Sequence, residues 1–463
     1  MSATPSRYLI DPVHPLVVHV VGIGGAGMSA IATALATMGH TVTGSDLKSS
    51  GVTERLTRSG VAVTIGHGAD AVIGADLVTV STAIPDNNPE VVEARRRGIP
   101  VLARAEALAA IAGLKRCVAV AGTHGKTTTA SMLALALVSS GIHPSFLIGG
   151  DVNEIGTNAV WDEGEWLVVE ADESDGTFLS LDPEIAVITN VEADHLDHYG
   201  SFTAMRAAFE QFAMDGRVRV VGGDDPVAAE IGRACGAAVV GTSPECTYRM
   251  VDVTPARSSV SFGLTGPDGA LLGQVVVPVP GLHNAKNAAV AAVAALSVGV
   301  PFDTVTAALA RFAGVARRFE FRGEAGGVTF VDDYAHLPSE VRAALAAARN
   351  GGWRRVVAVF QPHRYSRTAE LWSEFGPAFG DADLAVITDV YGAGEAPVPG
   401  VSGQLVADAV HRAFPEMPVL YVAGRADLAR AVEDILDVGD LCLTLGAGDL
   451  TSLPDELMAN PRW

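Results

Sequence analysis

The segment that most constrains this chain is residues 118–129, where a short apolar strand runs into a glycine-rich turn and then a helix. The backbone N–H groups of such a turn and the N-terminus of the helix point at one spot, which favours a bound phosphate. Lys126 adds a positive charge for the outer phosphates, and Thr127 adds a hydroxyl oxygen suited to Mg²⁺. Position 120 is Val where the longer phosphate-loop pattern has Gly, so a shorter nucleoside-triphosphate loop is predicted. Its residues are Gly122, Thr123, His124, Gly125, Lys126, Thr127 and Thr128. The alternative is an ordinary strand–turn–helix, but packing gives no reason for Gly-Lys-Thr-Thr on that turn.

Composition limits the possible partners of the chain. A length of 463 residues predicts two to four domains, and 49% hydrophobic against 18% charged residues predicts folded cores. The net charge of −21 argues against nucleic acid or an anionic membrane as a partner. The four cysteines lack metal-site spacing, and the N-terminus lacks a signal-peptide pattern. The longest apolar helical run, residues 288–300, is too short to span a bilayer, so a cytoplasmic protein is expected.

Apolar strands alternate with helical segments along the whole chain, which predicts α/β domains with largely parallel sheets. Predicted strands lie at residues 17–21, 40–44, 77–80, 166–170, 185–190, 328–331, 356–360, 384–388 and 441–445. Predicted helices include residues 28–38, 130–138 and 284–297, and residues 251–279 read as antiparallel strands. Breaks near residues 114–116 and 314–318 divide the chain into three predicted domains, residues 1–113, 114–314 and 315–463.

A second glycine-rich loop follows the first predicted strand and matches the pattern G-x-G-x-x-G. Its residues are Gly22, Gly24, Gly25 and Gly27, followed by Met28, with Ser45 and Asp46 ending the next strand. The pattern requires a diphosphate against a helix N-terminus, and a nicotinamide dinucleotide or a sugar nucleotide meets that requirement equally well. Two such loops in one chain indicate two phosphorylated ligands, one for each domain.

Acidic side chains follow two further predicted strands, at residues 170–175 and 192–197. Ligand groups of open α/β sheets gather at the carboxyl ends of strands, and carboxylate oxygens are suited to Mg²⁺. A solvated acidic loop is the alternative, but the nearby phosphate loop favours a metal.

Two later segments carry further candidates. Asn284 and Asn287 open an Ala-rich helix, where their amides suit either an adenine edge or helix capping. Arg364 and Arg367 are three residues apart and can converge on one carboxylate or phosphate, although surface arginines are the alternative.

In combination and order, these motifs resemble the Mur ligase family of bacterial cell-wall synthesis over residues 15–450. The resemblance implies an N-terminal Rossmann-like UDP-binding domain, a central P-loop-type ATPase domain with a mixed sheet, and a C-terminal Rossmann-like domain. It implies an ATP-dependent ligase that joins L-alanine to the lactyl carboxylate of UDP-N-acetylmuramate through an acyl phosphate, with ATP and Mg²⁺.

The resemblance also assigns roles to residues. It places the UDP-linked substrate at Gly22, Gly24, Gly25, Gly27, Met28, Ser45 and Asp46, and magnesium at Thr127, Glu170 and His195. It adds Asn284, Asn287, Arg318 and Asp333 to the phosphate loop as ATP contacts. Its catalytic residues are Lys126, His336, Arg364 and Arg367, and the last three line the pocket for the alanine and the acyl phosphate. Apart from the resemblance, histidine titrates near neutral pH, so His336 is predicted to be the base for the amine proton.

The sequence departs from the family pattern at two places. Leu337 stands where related sequences often have a second His, so no role is assigned to an imidazole at this position. No lysine lies between Lys126 and Lys286 to act as the carbamylated lysine of sibling ligases, and Glu210 is the expected substitute. The rival functions are a sibling ligase with another acceptor or a whole peptide as donor, a nicotinamide dehydrogenase, and a non-catalytic nucleotide switch. The oligomeric state is left open between monomer and dimer.

Overall fold

The computed structural model describes residues 10–81 and 83–459, and for Asp197 the backbone alone. The chain folds into three sheets of five, ten and six strands. It forms two compact units: one contains the residues through Val251 together with Gly263–Val275 and Lys286–Phe312, and the other contains the remainder. The predicted three α/β regions are confirmed, while the domain boundaries at 113/114 and 314/315 stay predictions.

The first sheet has the strand order β3-β2-β1-β4-β5, and all its neighbouring pairs are parallel. Its elements are β1 Val17–Val21, α1 Ala26–Thr37, β2 Thr41–Asp46, α2 Gly51–Arg58, β3 Ala62–Ile65, β4 Leu77–Val80, α3 Pro89–Arg97, β5 Val101–Ala103 and α4 Arg104–Ala112. The chain runs outward from β1 to β3 and then returns to β4 on the other side of β1. The glycine-rich loop after β1 therefore lies at the switch point where open α/β sheets bind ligands, as the Rossmann-like prediction requires.

The second sheet has the order β15-β14-β13-β12-β11-β10-β6-β9-β7-β8. Its elements are β6 Arg116–Ala121, α5 Lys126–Ser139, β7 Ser145–Val152, β8 Thr157–Val160, β9 Trp166–Glu170, β10 Ile185–Ile188, α6 Leu196–Tyr199, α7 Phe202–Asp215, β11 Val218–Gly222, α8 Pro226–Ala234, β12 Ala238–Gly241, β13 Tyr248–Pro255, β14 Val260–Thr265, β15 Leu271–Val277, α9 Leu282–Val298 and α10 Phe302–Leu309. The pairs around β6 are parallel and β8 is antiparallel to β7, so the sheet is mixed, as expected. Residues 256–259 and 266–270 connect neighbouring strands and are too short for a parallel crossover, which fits the predicted antiparallel segment.

The third sheet has the order β16-β17-β21-β18-β19-β20, and β16 is its antiparallel edge. Its elements are β16 Glu320–Ala325, β17 Val328–Asp333, α11 Pro338–Arg349, β18 Arg355–Phe360, α12 Tyr365–Ala378, β19 Leu384–Thr388, α13 Gly403–Ala413, β20 Val419–Val422, α14 Arg425–Ile435, β21 Asp440–Leu445 and α15 Leu453–Met458. Two buried apolar clusters cover opposite faces of this sheet, one with α11 to α13 and one with α14 and α15. This arrangement explains why almost every residue of β17, β18 and β21 is buried.

The predicted elements differ from the observed ones mainly at their ends. The helix after the phosphate loop begins at Lys126 and not at residue 130, because Gly125 adopts a left-handed conformation and caps it. Helix α9 begins at Leu282, two residues before its predicted start, and β10 ends at Ile188. Within residues 10–81 and 83–459, no helix combines the length and apolar character needed to cross a bilayer.

Candidate active site

The phosphate loop between β6 and α5 is held by residues from neighbouring elements. Gly122 has a φ of +134°, and a Cβ at this position would collide with Thr189 Oγ1. The N–H of His124 donates to Asn190 Oδ1 (2.8 Å). Gly125 has a φ of +76°, and the amide of Asn287 packs against it so closely that a Cβ would not fit. The predicted ATP residue Asn287 therefore lies at the loop, and Thr189 and Asn190 support it from the end of β10.

The Lys126 ammonium group lies against this loop, and its side chain is 15% exposed. Its Nζ donates to the carbonyl of Gly122 (2.7 Å) and to Glu173 Oε1 (2.8 Å). Burial acts to lower the pKa of Lys126, but the attraction of Glu173, Asp172 and Glu170 outweighs it and raises that pKa. Lys126 therefore stays positively charged, as its predicted contact with phosphate requires.

Glu173 is a functional candidate with no role in the sequence analysis beyond its membership of the acidic run 170–175. Its side chain is 1% exposed, and burial raises its pKa to about 7, against the opposing attraction of Lys126. Its carboxylate pairs with the Lys126 ammonium group, which is the group predicted to contact the phosphates of a nucleotide.

The three predicted magnesium ligands lie at or beyond the carboxyl ends of three adjacent strands: His195 after β10, Thr127 after β6, and Glu170 as the last residue of β9. Thr127 Oγ1 donates to Glu170 Oε1 (2.8 Å), so these two oxygens already meet. His195 follows β10, and its Nε2 lies 3.2 Å from Asp194 Oδ2. Among the described residues, no three His, Cys, Asp or Glu side chains form a metal site by themselves. A hydroxyl and a carboxylate fit Mg²⁺ when phosphate and water oxygens complete its shell. The Asp197 side chain lies outside the described part of the chain.

The glycine-rich loop after β1 is fixed by the end of β2. The N–H groups of Gly22 and Ile23 donate to the carbonyl of Ser45 (2.8 and 3.0 Å), and that of Gly24 donates to Asp46 Oδ2 (2.8 Å). A Cβ on Gly24 would lie 2.8 Å from the same carboxylate oxygen. Gly25 and Gly27 flank the N-terminus of α1, where a diphosphate is favoured. Ser45 and Asp46 therefore position this loop through direct hydrogen bonds.

Two residues near this loop add to the sequence interpretation. The Met28 side chain is 1% exposed and belongs to the apolar core, so only its backbone is available to a ligand. Glu90, which the sequence analysis did not single out, is fully buried and accepts hydrogen bonds from Ser45 Oγ (2.6 Å) and the N–H of Gly68 (3.1 Å). Burial acts to raise the pKa of Glu90, but hydrogen bonds from His19, Ser45 and Gly68 outweigh it and lower that pKa.

The third sheet carries a cluster of imidazoles and arginines after β17 and β18. His336 Nδ1 lies 3.0 Å from the carbonyl of Tyr334, which can only accept, so Nδ1 carries the proton and Nε2 is the basic nitrogen. The rings of His336 and His363 lie 5.7 Å apart between their centroids. Leu337 is a buried apolar residue and supplies no imidazole. The second imidazole beside His336 is that of His363.

The predicted arginine pair flanks the start of α12. Arg364 has a φ of +69°, and its N–H donates to the carbonyl of Tyr391 (2.8 Å). A non-glycine residue in this region is strained, and such strain concentrates at functional sites. Arg367 Nη1 lies 3.3 Å from His363 Nδ1, so Arg367 adjoins the imidazole cluster.

The other predicted ATP residues have partners of their own. The side-chain amide of Asn284 donates to the carbonyl of Pro280 (2.7 Å). Because α9 begins at Leu282, Asn284 lies inside the helix and does not occupy the N-cap position before it. Arg318 Nη1 lies 3.8 Å from Glu340 Oε1. Asp333 accepts hydrogen bonds from the N–H groups of Phe319 and Ala335 (2.8 Å each), and burial raises its pKa to about 6. The expected carbamyl-lysine substitute Glu210 pairs with Arg206 on α7 at 2.9 Å.

We expect His363 to make the stability of the protein dependent on pH. Burial, together with His336, Arg367 and Arg364, lowers the pKa of His363 to about 3, whereas an unfolded His titrates near its ordinary value of 6.5. The unfolded chain therefore binds the extra proton as pH falls below about 6.5. Above that pH, His363 does not reduce the free energy of unfolding. Between pH 6.5 and pH 3 it lowers the free energy of unfolding by at most about 1.4 kcal/mol per pH unit as the pH falls.

Thermal unfolding between pH 7 and pH 5 measures this effect. The fall in melting temperature should be smaller in His363→Asn than in the wild type. His411→Asn, which removes an exposed imidazole on α13, should keep the wild-type fall. Equal pH dependence in His363→Asn and the wild type would contradict the buried neutral imidazole.

Comparison with known proteins identifies the family of this chain. Three family models match the chain: the Mur ligase family catalytic domain over residues 17–116, the Mur ligase middle domain over 120–295, and the Mur ligase glutamate ligase domain over 317–448. The chain belongs to the Mur ligase family.

Individual relatives match over almost their whole length. The UDP-N-acetylmuramate–L-alanine ligase of Bradyrhizobium sp. (strain ORS 278) is 45% identical over 457 residues, which cover 96% of this chain and 98% of the relative. That of Geobacter sulfurreducens is 45% identical over 450 residues, covering 96% and 97%. The crystal structure of UDP-N-acetylmuramate–alanine ligase from Thermotoga maritima superimposes with a TM-score of 0.81 at 29% identity and covers 96% and 98% of the two chains.

Proposed function

We propose that this protein joins L-alanine to the lactyl carboxylate of UDP-N-acetylmuramate, with hydrolysis of ATP to ADP and phosphate, in peptidoglycan precursor synthesis. The observation that carries the proposal is the identity of about 45% to ligases of that name across 96% of the chain. The two phosphate-binding loops support it, since one suits a UDP-linked sugar and the other ATP. The cytoplasm is the proposed location, since the reaction would draw on ATP.

In the first proposed step, the lactyl carboxylate attacks the γ-phosphorus of ATP, and an acyl phosphate and ADP form. Phosphoryl transfer depends mainly on alignment and on neutralising charge. The partly buried, charged Lys126 neutralises the outer phosphates once they draw it away from Glu173. Thr127, Glu170 and His195 would hold Mg²⁺, which when bound offsets the negative charge of the phosphates.

In the second proposed step, the neutral amine of L-alanine attacks the acyl carbon, and phosphate leaves from the tetrahedral intermediate. A base must accept the amine proton. His336 Nε2 suits this role because Nδ1 already donates to Tyr334. Arg364 and Arg367 are proposed to bind the alanine carboxylate and the acyl phosphate.

The decisive experiment measures phosphate release with ATP, Mg²⁺ and UDP-N-acetylmuramate while single amino acids are supplied in turn. We expect release to depend on L-alanine and on all three other components. Release that requires a peptide in place of L-alanine would assign the chain to a sibling activity. ADP formation that does not depend on any amino acid would indicate a nucleotide switch. Either result would overturn the proposal.

Replacing Arg364 with Lys should impair the reaction although the charge is kept. A guanidinium donates two parallel hydrogen bonds to a carboxylate, and a charged hydrogen bond contributes about 1.5–3 kcal/mol. We expect kcat/KM for L-alanine to fall about 10- to 100-fold. Arg349→Lys is the matched control, because Arg349 pairs with Asp383 on the surface of α11 at 3.1 Å. Unchanged kinetics in Arg364→Lys would remove this residue from the alanine site.

A further inference from the structure

Arg104 connects the first sheet with the acidic run that follows β9. It is the first residue of α4, and its Nη2 lies 2.8 Å from Asp175 Oδ2 and 3.0 Å from Asp172 Oδ2. The three side chains are 19%, 21% and 33% exposed, so the cluster is partly shielded from water. Ion pairs in such surroundings are screened less by salt than those on an open surface.

The same guanidinium also adjoins the glycine-rich loop. A Cβ added to Gly27, the second residue of α1, would lie 3.2 Å from Arg104 Nη1. Arg104 Nε is buried and has no hydrogen-bond partner among the described residues. A cation with a spare donor therefore lies beside the helix N-terminus to which the diphosphate is assigned.

The acidic run leads from Arg104 to Lys126. Asp172 Oδ1 accepts a hydrogen bond from the N–H of Ser174 (3.0 Å), and Asp172 Oδ2 accepts one from Arg104. The Asp172 carboxylate therefore links the loop after β9 to Arg104. Glu173 is the next residue and holds Lys126 at 2.8 Å. One continuous chain of charges thus joins the two phosphate-binding loops.

We propose that Arg104 is a positioning residue that couples the two loops, so that UDP-N-acetylmuramate and ATP increase each other's affinity. The bound diphosphate competes with Asp172 and Asp175 for the guanidinium. As Arg104 turns to the diphosphate, the acidic run loosens, and Glu173 releases Lys126 to the triphosphate. The inference rests on the proposed function, and by linkage the coupling is the same in both directions.

Calorimetry with a non-hydrolysable ATP analogue and Mg²⁺ tests the coupling. We expect the wild type to bind the analogue at least about 5-fold more tightly when UDP-N-acetylmuramate is saturating. The coupling ratio is the affinity for the analogue with saturating UDP-N-acetylmuramate divided by the affinity without it. In Arg104→Gln this ratio should fall below about 2-fold. Arg55→Gln is the matched control: Arg55 also extends from the first sheet's helices to an acid near the second sheet, Asp151, at 3.4 Å, but it is 51% exposed. It should keep the wild-type ratio.

A wild-type ratio near one, or an unchanged ratio in Arg104→Gln, would overturn the inference. If Arg104→Gln does not fold, Asp175→Asn tests the same link from the other side and should also lower the ratio. An unchanged ratio in Asp175→Asn as well as Arg104→Gln would assign the cluster a purely structural role. Binding of both ligands without coupling would leave the proposed function standing, whereas failure of the wild type to bind UDP-N-acetylmuramate would end both.

Discussion

Replacing Lys126 with Met should lower kcat by about 100-fold or more, because the outer phosphates lose the positive charge that the phosphate loop places beside them. The effect on folding should be small. Removing one member of a buried ion pair is costly when the other stays charged. Here, however, burial already raises the pKa of Glu173 to about 7, and loss of Lys126 raises it further, so Glu173 takes up a proton. Steady-state kinetics and thermal unfolding of the same preparation measure both effects.

Two further variants separate charge from packing. Lys126→Met combined with Glu173→Gln should recover any lost stability and leave kcat low. Lys115→Met removes a partly buried lysine that lies over the ring of Trp161, just before the opposite end of β6. It should retain most of the wild-type kcat. A Lys126→Met enzyme that keeps more than a tenth of the wild-type rate would contradict the role given to this lysine.

The features that the sequence predicted are those that depend on local backbone chemistry. Gly122 and Gly125 have positive φ and leave no room for a Cβ, so a glycine pattern between a strand and a helix reports their geometry directly. The contact between Thr127 and Glu170 could also be predicted, since the carboxyl ends of adjacent parallel strands meet at one edge of the sheet.

The features that the sequence did not predict depend on tertiary contacts between distant residues. Arg104 is 68 residues from Asp172, and Glu90 is 45 residues from Ser45. An arginine at a helix start and a glutamate in a first helical turn resemble ordinary surface residues, and no periodicity reveals their partners. His363 directly precedes the predicted Arg364, but its proximity to His336 follows only from the parallel arrangement of β17, β21 and β18.

Gly125→Ala tests whether the shape of the phosphate loop, apart from its charges, is needed for activity. A Cβ here meets the Asn287 amide, and the φ of +76° costs a non-glycine residue about 1–2 kcal/mol. Relief of the collision must displace the loop or α9. Because a displacement of about 1 Å can cost on the order of 100-fold in rate, we expect kcat/KM for ATP to fall by about that factor.

Gly141→Ala is the control that isolates this effect from backbone strain. Gly141 follows the other end of α5 and has nearly the same φ, +77°, but a Cβ there meets no atom within 4 Å. Both variants should therefore lose stability through strain, and Gly125→Ala alone should lose activity. A parallel measurement of unfolding and ATP kinetics on the two proteins decides the matter. Equal activity in both would show that the loop tolerates displacement, and the binding of phosphate would then depend on Lys126 and the metal more than on the backbone N–H groups.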